Sequence, residues 1–124
     1  MSSNWYSYCS APNLAVEADT VIVALEGGRT QRVDIESTDG GLRLSSTVAR
    51  PKAVSEFPEA ELRAWLRNRS RHFVAFRLDR RGRMIGEAWV HSVGLTADEF
   101  RLYLTTVANE CDQFEHQITG GDSE

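Results

Sequence analysis

Between Thr20 and Val48 the sequence alternates in period two three times, and the first two alternations each stop at a glycine pair. Val21, Val23 and Leu25 alternate with Ile22, Ala24 and Glu26, and Gln31, Val33 and Ile35 with Arg32, Asp34 and Glu36. Leu42, Leu44, Ser46 and Val48 set the third run. Side chains along a strand point to opposite faces in turn, so period two marks a strand with one face buried. Gly27-Gly28 and Asp39-Gly40-Gly41 supply the positive φ angles that tight hairpins need. Three strands joined by two short turns predict an antiparallel meander.

The rest of the chain must cover that sheet. Pro51 and Pro58 bracket a connecting loop, and a helix is expected over 58–70. Glu59 and Glu61 stand at its positive end and Arg67, Arg69 and Arg71 at its negative end, as the helix dipole favours. Leu62, Trp65 and Leu66, spaced i, i+3, i+4, are expected to form its buried stripe. Phe73 to Leu78 and Arg83 to Ser92 read as strands around the turn Asp79-Arg80-Arg81-Gly82. Thr96 and Glu99 form a capping box before Phe100, Leu104, Val107, Cys111, Phe114 and Ile118, which recur at helical spacing until Gly120-Gly121. The expected fold is α+β: an antiparallel five-stranded sheet with helices packed on it, in the order (α)-β-β-β-α-β-β-α. Residues 1–19 are expected as an N-terminal arm or short helix ended by Pro12, residues 20–119 as a single α+β domain, and 120–124 as a disordered tail.

Charge and motif content narrow the function. The net charge of −4 argues against broad phosphate binding, which needs a cationic surface. Cys9 and Cys111 form no C-x-x-C pair, and no signal-peptide pattern precedes Cys9, so both thiols read as reduced and the protein as cytoplasmic. The longest apolar run, Val21 to Leu25, is far too short to span a bilayer. His72, His91 and His116 have no metal-ligand spacing. Ser45-Ser46 lies in a strand rather than a nucleophile elbow, and the glycine pairs match no phosphate-binding loop. No catalytic, cofactor or metal set is assembled, and the chain does not read as an enzyme.

Two features stand out. Of thirteen arginines, eight fall between Arg63 and Arg83: Arg63, Arg67, Arg69, Arg71, Arg77, Arg80, Arg81 and Arg83. They fit either an anion-facing patch or a solvated helix end followed by a charged hairpin that guards a sheet edge. Trp89 alternates with Glu87 and His91, off the apolar face of its strand. It is either an exposed interface anchor or packed beneath a helix.

Several segments carry a family resemblance. Val21 to Val33 is similar to the first hairpin, and Leu42 to Val48 to the third strand, of the type III secretion chaperone-like fold. The helix ending Leu66-Arg67-Asn68 before the Phe73–Leu78 strand also resembles it, as does a closing helix carrying Val107-Ala108 and Cys111-Asp112-Gln113-Phe114-Glu115. Over about residues 20–119 the chain looks most like the YbjN-type branch of that fold. The resemblance implies a helix-flanked, twisted sheet, a homodimer, and binding of an extended partner chain without catalysis or cofactor. Secretion chaperones open with an amphipathic helix, for which Pro12 and the polar, aromatic start leave little room. The expectation is a non-enzymatic protein-binding or chaperone-like domain with Trp65, Arg67, Arg71, Arg77 and Trp89 as partner contacts. The alternative is a nucleic-acid or anion-binding regulator using the Arg63–Arg83 cluster.

Overall fold

A computed structural model of the chain describes residues 5–70 and 73–119. A 3-10 turn, Trp5–Cys9, is followed by β1 (Leu14–Glu17), β2 (Thr20–Ala24), β3 (Thr30–Thr38), β4 (Gly41–Ala49), α1 (Pro51–Ser55), α2 (Ala60–Ser70), β5 (Ala75–Leu78), β6 (Met84–His91) and α3 (Ala97–Thr119). The strands form one antiparallel sheet in the order β1-β2-β3-β4-β6-β5. The chain leaves β4 through α1 and α2, lays β5 on the outside, and returns by a hairpin so that β6 docks on β4. Gly27 and Gly28, with φ of 80° and 79°, close the β2–β3 connection as their residue type requires.

The sheet has six strands rather than five. The additional strand, β1, lies in the stretch read as an arm or short helix. It is four residues long and pairs only with β2, through Leu14↔Val23 to Glu17↔Thr20. Its alternation is too brief to register as a period. The loop expected between Pro51 and Pro58 holds the single turn α1, with Pro51 in its first turn.

α3 covers one sheet face. Phe100, Leu104, Val107, Cys111, Phe114 and Ile118 are all buried against Val21, Val23, Val33, Leu42, Leu44, Met84 and Ala88. Each such side chain contributes on the order of 1.5–3 kcal/mol of burial free energy. The capping box forms as expected: the Thr96 N–H donates to Glu99 Oε1 at 3.2 Å and the Glu99 N–H to Thr96 Oγ1 at 3.1 Å. The N-terminal turn is docked on this helix. Trp5 packs on Phe100, and Arg101 donates to the Tyr8 carbonyl at 3.0 Å.

α2 is turned the other way from the expectation. Leu62, Trp65 and Leu66 are 54%, 55% and 42% exposed, whereas Ala60 and Ala64 are buried. The cause is close approach to β5. Asn68 Nδ2 donates to the Phe76 carbonyl at 2.9 Å, and the Phe76 N–H donates to Asn68 Oδ1 at 2.8 Å. Ala60 and Ala64 lie on the face that brings Asn68 this close to a strand, so Leu62, Trp65 and Leu66 face outward. The expected helix stop at Gly120-Gly121, the tail 120–124, and the calls on Arg71 and His72 lie outside the described residues.

Candidate functional site

The sheet's two edges differ. On β5 the hydrogen bonds alternate so that Phe76 directs its N–H and carbonyl away from β6, and Asn68 takes both. Asn68 thus covers that edge at Phe76. On β1 the Ala24 N–H donates to the Asn13 carbonyl at 2.9 Å, which fixes the alternation. Leu14 and Val16 then direct their backbone groups away from β2. The Leu14 N–H is used by the Ala11 carbonyl at 3.1 Å. The Val16 N–H and carbonyl meet no partner among the described residues. The Val16 side chain is 39% exposed. Tyr6, also exposed, stands beside the β1–β2 turn with its hydroxyl donating to Asp19 Oδ1 at 3.2 Å.

The sheet face away from α3 carries a ladder of charges. Arg43 on β4 reaches Glu36 on β3 at 3.2 Å and Glu87 on β6 at 2.6 Å. Arg77 on β5 donates through Nε to Glu87 Oε2 at 2.8 Å. Burial pushes the Glu87 carboxyl up, but the hydrogen bonds and charges of Arg77 and Arg43 outweigh it and hold it below the usual carboxylate range. The Arg77 guanidinium is stabilised in turn by Glu87. Arg43 also lies over the Trp89 ring, 5.7 Å from its centroid. Trp89, the cross-strand partner of Arg43, is 61% exposed, so it stands outward and not beneath a helix. It borders a cleft of about 320 Å³ that also involves Phe73, Val93, Leu95 and Tyr103.

The candidate contacts therefore fall in separate places. Arg77 and Trp89 share the open sheet face through Glu87 and Arg43. Trp65 stands on the outer face of α2, with Arg69 over its ring at 5.0 Å. Arg67 faces inward, 4.7 Å from the Phe114 ring centroid and 3.7 Å from Glu110. Nor do the arginines pool into one cationic surface. Arg63 pairs with Glu59, Arg77 with Glu87 and Arg83 with Asp79, while Arg80 and Arg81 sit at the β5–β6 turn. The sequence reading missed the β1 edge and the Glu36–Arg43–Glu87–Arg77 ladder. The ladder had a signal, since all four residues fall on the polar phase of their strands.

No group of His, Cys, Asp and Glu that could hold a metal ion occurs among the described residues. Cys111 is wholly buried, and burial pushes its thiol up to about 12, which keeps it neutral and unreactive. No described helix is long and apolar enough to cross a membrane.

Residues 8–119 match the family model described as "YbjN: Putative bacterial sensory transduction regulator". No curated protein matches the chain. Among solved structures, a chain of the heterodimeric ExoU–SpcU complex from the type III secretion system of Pseudomonas aeruginosa superposes with a TM-score of 0.58 at 15% identity, over 93% of this chain and 95% of that one. A chain of the HopA1–SchA chaperone–effector complex gives 0.58 at 10% identity, over 91% and 88%. The structure described as "YbjN, a putative transcription regulator from E. coli" gives 0.58 at 17% identity, over 96% and 87%. These likenesses establish the fold that the resemblance implied, with six strands in place of the expected five.

Proposed function

The chain belongs to the YbjN family, and from that premise we propose that it is a non-enzymatic, chaperone-like domain that binds an extended segment of a protein partner and acts as a homodimer. The observation that carries this reading is the open edge of β1. On β5 Asn68 takes the outward groups of Phe76, whereas β1 presents the Val16 N–H and carbonyl at an edge paired on one side only. An extended chain can add there as a further strand, with main-chain hydrogen bonds giving affinity and side-chain pockets giving selectivity. A fold relative whose structure is that of a chaperone–effector complex supports a partner of this kind. Trp89, held by Arg43 on the open face, is a second contact for the same partner.

The arginine cluster does not favour the anion-binding alternative. Arg63, Arg67, Arg69, Arg77 and Arg83 already pair with carboxylates or aromatic rings on different faces.

The test is capture from native lysate by the tagged protein, with and without nuclease, compared with a Val16→Pro variant. Proline removes the outward N–H while leaving the β1–β2 bonds in place, as an edge strand tolerates. A nuclease-resistant partner lost from the variant supports the reading. Capture unchanged by Val16→Pro, or recovery of nucleic acid alone, contradicts it.

A further inference from the structure

β5 pairs with β6 only as far as Ala75↔Glu87, whereas β6 runs on to His91. The Ser92 N–H donates to the Gly40 carbonyl at 3.1 Å, which fixes the β4–β6 alternation. Val90 therefore turns its backbone groups to β4, and Trp89 turns its own away. The Trp89 N–H and carbonyl meet no partner among the described residues. Phe73, just ahead of β5, and the N-terminal turns of α3 wall the gap so formed, which is the cleft of about 320 Å³. Three aromatic rings line it: Trp89, and the pair Phe73 and Tyr103 with ring centroids 4.9 Å apart. Glu99, one helical turn before Tyr103, is the one carboxylate in the lining among the described residues. Its Oε1 is used by the Thr96 N–H, and its Oε2 meets no partner among the described residues. No described lysine or arginine lines the cleft, and His91 is the one lining side chain that can take a positive charge.

We propose that this cleft binds a small organic cation, an ammonium group carried on a short apolar body. The faces of aromatic rings are negative and attract such a cation, and a nearby carboxylate adds to the attraction. The Trp89 ring already holds one cation, Arg43, at 5.7 Å on one face, and it is 61% exposed, so its other face can hold a second. The Trp89 carbonyl and Glu99 Oε2 are acceptors for an N–H or O–H of the ligand. The apolar remainder of the ligand packs on Val93 and Leu95, which also line the cleft. An anion would be drawn to the positive end of α3, but Asp98 and Glu99 stand in its first turn and offset it. The net charge of −4 favours a cation at longer range as well. The site goes beyond the function proposed above and does not depend on it, since β1 and β6 are separated by three strands in the sheet order.

The experiment is an NMR titration of the backbone amides with choline, with its uncharged isostere 3,3-dimethylbutan-1-ol, and with inorganic phosphate. Choline is expected to shift the amides from Trp89 to Glu99 in a saturable way, and to bind at least about tenfold more tightly than the isostere. Phosphate is expected to leave them in place. Trp89→Leu removes a ring that is mostly exposed, so the fold is expected to persist while choline binding weakens about tenfold. Glu99→Gln removes the charge and keeps the capping bond, which glutamine also makes, so it should weaken choline binding and leave the isostere unaffected. Circular dichroism checks that both variants fold. Choline that causes no saturable shift at the cleft, an isostere that binds equally well, or phosphate that takes the site instead would overturn the proposal. So would choline binding that neither variant changes. Val16→Pro is expected to bind choline like the unaltered protein. Loss of partner capture in that variant therefore speaks to β1 alone, and failure to bind choline speaks to the cleft alone.

Discussion

Asn68 of α2 hydrogen-bonds both the N–H and the carbonyl of Phe76, so one side chain does for β5 what a neighbouring strand would do. The contact covers the β5 edge at Phe76, fixes the rotation of α2, and sends Leu62, Trp65 and Leu66 outward. Asn68→Ala is expected to cost about 1–3 kcal/mol, the sum of two bonds of ordinary net strength. Asn68→Asp keeps an acceptor for the Phe76 N–H but has no donor for the carbonyl, so its loss should lie between wild type and alanine. Urea denaturation of the three proteins measures the order.

Gly86 stands where β6 passes beneath α3. A Cβ there would lie 2.5 Å from Cys111 Sγ and 2.8 Å from Phe76 Cε1. Gly86→Ala is expected to destabilise by about 1–3 kcal/mol through overpacking. Adding Cys111→Ala removes the nearer clash, so the double variant should lose less than the sum of the two single losses. Full recovery is not expected, because the Phe76 ring remains. A double-mutant cycle in urea reads the coupling directly.

Glu87 ties stability to acid. Its folded carboxyl titrates below its ordinary value of 4.5 despite its burial, because Arg77 and Arg43 bond the charged form. As pH falls, the unfolded chain takes up this proton first, and stability is lost below about 4.5 toward the lower folded value. At neutral pH the contribution is fully present. Glu87→Gln should therefore be less stable at pH 7 and flatter in acid than the unaltered protein. Urea midpoints between pH 7 and pH 3 test both. Parallel acid limbs for the two proteins would contradict the assignment.

The two ends of the chain differed in how much their sequence revealed. The start and the buried face of α3 were legible, because its capping box and its run from Phe100 to Ile118 are local patterns that the packing merely confirms. The β2–β4 meander was legible for the same reason: period two and glycine turns leave little alternative. β1 was not, since four residues at an edge show almost no period and are held by pairing with β2. α2 was misread because its apolar stripe is real but faces outward. The deciding contact, Asn68 with the Phe76 backbone, depends on tertiary placement that no spacing rule encodes. The charge ladder lay in plain view as polar-phase residues, yet its cross-strand register became visible only once β6 was seen beside β4.

The central claim is that an extended partner segment adds to β1. The measurement that tests it most directly is hydrogen exchange of single backbone amides, followed by NMR, with and without the captured segment. The account predicts strong new protection at the Val16 N–H, which faces away from β2. New protection confined to other surfaces, with Val16 exchanging as in the free protein, would contradict it.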